Sequence, residues 1–157
     1  MATAAAAVGG GTYFETTTSQ DGSATIGANY MEWATVNITS GTTVIALGAR
    51  IHASAATQNI KVALYTTGLA LVVSGTVSVP DTTSDAWIDA TGLSAGFTTG
   101  NHYLAISAAG ALDLKVLASV AGPGEYALQS HAGFPPDPRP AADANWDKIP
   151  RLRVLAA

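Results

Sequence analysis

From Tyr30 onward, apolar and polar residues alternate with a period of two, as they do in strands buried on one face. Trp33–Ile38 is rich in Thr, Val and Ile and stops at the turn signal Thr39-Ser40-Gly41. Thr43–His52 puts Ile45, Leu47, Ala49 and Ile51 on one face. Asn59–Tyr65 sets Ile60, Val62 and Leu64 against Lys61, Ala63 and Tyr65, and Thr66-Thr67-Gly68 then turns the chain. Leu69–Ser74 and Thr76–Val79 read as one or two strands, closed by Pro80-Asp81. Ala86–Asp89 is a short strand around Trp87, and Leu93-Ser94-Ala95-Gly96 reads as a turn or tight loop. Asn101–Ala108 places His102, Leu104 and Ile106 together; Leu112–Ala118 follows a hairpin turn at Ala109-Gly110. Arg151–Leu155 is a final strand. No segment keeps a 3.6-residue period. About eight strands at roughly ten-residue spacing predict an all-β fold, an antiparallel sandwich of jelly-roll type, as one domain over residues 29–157.

Two segments break the pattern. Residues 1–28 are rich in Ala, Gly, Thr and Ser and hold few large apolar side chains. Such a stretch cannot bury enough surface alone to offset its conformational entropy. It reads as an extended or flexible N-terminal arm, free or laid across a neighbouring subunit. Residues 121–150 hold six of the seven prolines, which predicts a loop that is neither helix nor central strand.

Composition narrows the partners. Only 11% of the 157 residues are charged, against 48% hydrophobic; roughly 25% charged is usual. The apolar residues are split into short pieces, so the scarcity of charge points to surfaces covered by other copies or partners. A net charge of −4 argues against nucleic acid and against an anionic membrane surface. The absence of Cys excludes disulfides and Cys-based zinc sites. The first residues lack the basic region and long apolar run of a secretory signal, so synthesis in the cytoplasm without export is expected. Residues 1–49 contain no Lys or Arg but do contain Glu15, Asp21 and Glu32. Arg139, Lys148, Arg151 and Arg153 gather near the C-terminus. An acidic arm could meet this basic edge, within or between copies; plain scatter among few charges is the alternative.

Chemistry is sparsely marked. His52, His102 and His131 share no catalytic spacing, and no Gly-x-Ser-x-Gly elbow is present. Asp81, Asp85 and Asp89 around Trp87 are weak candidates for a calcium site, without the EF-hand pattern. Gly9-Gly10-Gly11 does not join a strand to a helix, so it is no phosphate loop, and no cofactor is expected. Trp33, Trp87, Trp146, Tyr65, Tyr103 and Tyr126 could stack on sugar rings if exposed. Core packing is the competing reading for Trp87 and Tyr103. Phe134 and Trp146 read as anchors pinning the Pro-rich loop onto the sandwich or a neighbour.

Asn59-Ile60-Lys61-Val62-Ala63-Leu64-Tyr65, Trp87 with Leu93-Ser94-Ala95-Gly96, and His102-Tyr103-Leu104-Ala105-Ile106 carry a resemblance. Together they resemble the jelly-roll or β-sandwich modules of tailed-phage virion proteins, namely head decoration proteins, head fibres and tail fibres. Related modules occur in bacterial surface and carbohydrate-binding proteins. The resemblance covers residues 43–118 and the terminal strand. It implies a non-enzymatic virion component that decorates or cements a capsid. Its partners would be other copies of itself, a trimer being favoured, and a major capsid or other virion protein. The candidate interface residues are Tyr13, Phe14, Phe134, Trp146, Arg151 and Arg153. The alternative is a glycan-binding module of a fibre or adhesin. An enzyme would need His52 or His102 beside a carboxylate in a cleft.

Overall fold

A computed structural model describes residues 10–118 and 124–157. Its strands are β1 (Thr12–Glu15), β2 (Gly22–Ile26), β3 (Tyr30–Ile38), β4 (Thr43–Ser54), β5 (Gln58–Thr66), β6 (Leu71–Val79) and β7 (Ser84–Gly96). After them come β8 (Gly100–Ala108), β9 (Leu112–Leu117), β10 (Gly124–Leu128), β11 (Ala144–Trp146), β12 (Ile149–Pro150) and β13 (Leu152–Ala156). A single turn of 3-10 helix spans His131–Gly133.

The strands form two antiparallel sheets packed as a β-sandwich. One sheet runs β11-β10-β3-β8-β5-β6. The other holds β1, β2, β4, β7, β9, β12 and β13 around the long strand β4. Most connections cross from one sheet to the other, as in a jelly roll, so each sheet is completed by strands distant in sequence. β4 pairs with β7 along one edge. Its other edge is shared: β9 takes Ile51–Ser54 and β13 takes Val44–Ala49. Arg151 stands where these two partners separate. Its N–H donates to the Lys115 carbonyl, and its carbonyl accepts from the Arg50 N–H, both at 2.9 Å.

The inner faces follow from the alternation. Ile60, Val62 and Leu64 of β5, Leu104 and Ile106 of β8, and Leu47, Ala49 and Ile51 of β4 are all fully or almost fully buried between the sheets. Each Val, Leu or Ile among them contributes about 1.5–3 kcal/mol by leaving water. Ile45 departs from the expected face. The register of β4 on β7 shifts between Val44 and Ala46, so Val44 takes the buried place.

Three sequence expectations change. Leu93–Gly96 is the end of β7, not a turn. Gly92 adopts φ +74, which a glycine tolerates, and the chain bulges there and resumes pairing at Ala95. The expected arm contributes two strands to its own sandwich. β1 pairs with β13, and β2 pairs with β9. Phe14 packs on the core and Ile26 is buried within it. The part of the arm that precedes residue 10 lies outside the described residues. The Pro-rich segment contains a strand with two neighbours: β10 lies between β3 and β11. Its five residues, GEYAL, include no proline, so every one of them keeps a donor for the ladder.

Candidate functional site

Three groups of functional side chains stand out. The first covers the outer face of the β4 sheet. Leu152 and Val154 face the core, so Arg151 and Arg153 face outward. In register, Arg153 lies opposite Gly48, and Gly48 lies opposite Asp89. The missing side chain of Gly48 lets the Arg153 guanidinium reach across β4 to Asp89, which it grips through both Nε, at 2.9 Å, and Nη2. The same guanidinium is stacked 4.0 Å from the Tyr13 ring and 4.2 Å from the Trp87 ring. Arg151 donates from Nε to Glu15 at 3.0 Å and from Nη1 to Gln20 at 2.7 Å, and stands 5.4 Å from Trp87. The acidic N-terminal strand and the basic C-terminal strand therefore meet within one chain. A Cβ on Gly48 would overlap Asp89 Oδ1 and come within 2.9 Å of the Ile88 carbonyl. Gly48→Ala is accordingly expected to destabilise the fold by about 1–3 kcal/mol, the usual range for overpacking. Urea unfolding of this variant alone and combined with Asp89→Ala checks the mechanism. The two losses should be strongly non-additive, because both act on one ion pair.

The second group lies on the outer face of the other sheet, beneath residues 129–143. Met31 and Trp33 of β3, Ala63 and Tyr65 of β5, Ala105 of β8 and Ala127 of β10 form a second apolar cluster, which Phe134 caps. Phe134 thus pins the Pro-rich segment to its own sheet. Polar ties reinforce this strap. Lys61 Nζ donates to the carbonyls of His131 and Phe134, and the Tyr65 hydroxyl donates to the Pro136 carbonyl at 2.9 Å. Arg139 is buried with its guanidinium 4.0 Å from the Trp33 ring and 4.5 Å from the Tyr103 ring. Trp33 Nε1 donates to Glu125 at 2.5 Å. This strap explains why Ala63 and Tyr65, on the face opposite Ile60, Val62 and Leu64, are as buried as the core.

The third group is a cleft of about 230 Å³ at the open edge of the sandwich, lined by Thr25, Gly27, Tyr30, Glu32, Tyr126 and Trp146. Glu32 lies opposite Tyr126, on the inner face of β3. It is 8% exposed, and its Oε2 has no hydrogen-bond partner among the described residues. Burial raises its pKa to about 8, against a smaller opposing pull from Lys148. Tyr30 and Tyr126 meet edge to face, with centroids 5.9 Å apart and planes at 76°. Nothing in the sequence pattern singled out Glu32. The available signal was an acid at a position whose i+2 and i+4 neighbours, Ala34 and Val36, are core residues.

The remaining candidates do not converge. Asp85 bonds Lys115 at 2.9 Å and His52 at 3.2 Å, Asp89 is held by Arg153, and Asp81 sits in a turn beside Thr57. Among the described residues, no three His, Asp or Glu side chains are grouped to hold a metal ion, so the three aspartates do not make a calcium site. His52 has its carboxylate, but both side chains are more than a third exposed. His102 is buried against Phe97, and His131 bonds the fully buried Ser107 beneath the strap. Comparison with models of known protein families finds no match, and comparison with curated proteins finds none either.

Proposed function

We propose that this chain is a non-enzymatic structural component of a tailed-phage virion, a capsid-decorating or cementing protein that works as a homo-oligomer. The observation that carries the assembly part of this reading is the edge strand β6. Its sequence, LVVSGTVSV, has nine residues, no charge and no proline. It is paired only with β5; Asp137 of the strap accepts from the N–H of its first residue, Leu71, at 3.1 Å, and no strand pairs with the rest of its other edge among the described residues. Soluble proteins usually guard such an edge with Lys, Pro or a covering element. An unguarded one is a template on which a second chain can add a strand. Scarce charge and the resemblance of residues 43–118 to virion modules support the same reading. Many weak copies on one lattice would then bind through avidity.

The arginines and aromatics on the β4 sheet, and those beneath the strap, already have partners in their own chain. They support the fold more directly than an interface. The glycan-binding alternative likewise loses Trp33 and Tyr65 to burial, Trp87 to its arginines and Tyr103 to Arg139, and keeps Tyr126 and Trp146.

The test is sedimentation velocity over a dilution series, with the exposed positions Thr76 and Ser78 of β6 changed to lysine together. The unmodified chain should form a small oligomer. The double variant should keep its far-ultraviolet spectrum and associate at least about tenfold more weakly, a loss of about 1.4 kcal/mol. A monomer at high concentration, or full association of the double variant, would overturn the proposal.

A further inference from the structure

We propose that the cleft between β2 and the β10–β11 hairpin binds a compact organic cation, an alkylammonium group. The site is built on paired strands. Register puts Glu32 opposite Tyr126, Tyr30 opposite Leu128, and Trp146 opposite Gly124. At Gly124 a side chain would collide with the Lys148 carbonyl and approach the Trp146 carbonyl within 3.2 Å, so glycine allows the hairpin to close the cleft.

Three features select the ligand. First, the buried Glu32 carboxyl has an oxygen with no partner among the described residues, a costly state that an incoming N–H donor or positive charge relieves. Second, three aromatic residues line the cleft: Tyr30 and Tyr126, whose rings meet edge to face at 76°, and Trp146. The π face of an aromatic ring attracts a small cation. A sugar ring needs one flat platform. Third, an ammonium already stands near this wall. Lys148 Nζ lies 5.8 Å from the Trp146 ring centre while paired to Asp147 at 2.9 Å. The remaining lining is neutral: Thr25, whose hydroxyl donates to Asp113, and Gly27.

The proposal also fixes a proton count. The titratable groups around Glu32 are Lys148 and the phenols of Tyr30 and Tyr126, and β2 presents only Thr25 toward the cleft. Burial keeps Glu32 protonated at neutral pH, so cation binding at pH 7 should expel about one proton.

The experiment is calorimetric titration of the full chain with tetramethylammonium and with n-butylammonium. The neutral isostere 3,3-dimethylbutan-1-ol and glucose serve as controls. Each titration is repeated in two buffers of different ionisation enthalpy. Saturable binding of either amine is expected, with buffer-dependent heat and nuclear magnetic resonance shifts at Trp146, Tyr30 and Tyr126. Glu32→Gln, which keeps the side-chain volume, should stay folded, weaken binding about tenfold or more, and abolish the buffer dependence. Tyr126→Leu should weaken binding while leaving Glu32 in place. The proposal is overturned if neither amine binds at tens of millimolar, or if the neutral alcohol or glucose binds as tightly. Unchanged affinity in Glu32→Gln would also overturn it.

Discussion

Deletion of residues 1–28 is expected to unfold the chain. The deletion takes Phe14 and Ile26 from the core, and strips β13 and β9 of strand partners. It also removes Glu15, leaving the half-buried Arg151 without its carboxylate. Loss of one large buried apolar side chain typically costs 2–5 kcal/mol, so the two together remove about 5 kcal/mol or more before strand pairing is counted. A whole domain is commonly stable by only about 5–15 kcal/mol. The deleted protein should therefore lose its cooperative melting transition and its near-ultraviolet circular dichroism. Ile26→Ala supplies a milder version, with an expected loss of about 2–5 kcal/mol in urea. A truncated protein that melts within a few degrees of the full chain would return residues 1–28 to the role of a dispensable arm.

Replacing Trp33 with alanine is expected to lower stability by about 3–5 kcal/mol, the range for a buried aromatic ring. Trp33 is 1% exposed, although it lies on the outer face of its sheet. Its removal opens space under the strap, frees the Glu125 carboxylate from Nε1 and takes one of two rings from the buried Arg139. Trp33→Phe should be milder, because a ring remains for Arg139 while the hydrogen bond is lost; about 1–2 kcal/mol is expected. Hydrogen exchange localises the effect. The amides of Arg139 and Asp143, which donate to Leu69 and Tyr126, should lose protection in Trp33→Ala before the inner strands do. A loss under about 1 kcal/mol, with those amides unchanged, would mean that the strap is not an integral layer of the fold.

How far the sequence could be read depended on whether local pattern or distant partners decided a segment. β5 and β8 were legible because their alternation is regular, and their inner faces are Ile60, Val62, Leu64, Leu104 and Ile106 as expected. β1 and β2 were not. TYFE and GSATI are too short and too poor in large apolar residues to signal a strand alone, and it is their partners, more than 80 residues away, that make them strands. The burial of Tyr65 and Trp33 was hidden for the same reason, since a segment about 70 residues later covers the face of Tyr65. In residues 121–150 the prolines dominated the pattern and concealed GEYAL. The acid–base contrast between the two ends was visible as composition. Only the strand order, which puts β1 beside β13, turns it into a contact between Glu15 and Arg151.

The placement of β13 bears on how the chain is made. Residues 152–156 fill the space between β1 and β4, while β1 begins at Thr12. A ribosome adds roughly 5–20 residues per second, so β1 and the Val44–Ala49 edge of β4 wait on the order of ten seconds for their common neighbour. Until then the nascent chain carries an unzipped apolar seam, open to mispairing with another copy. Residues 152–156 close that seam, so the sheet reaches its finished form only after translation has passed residue 156.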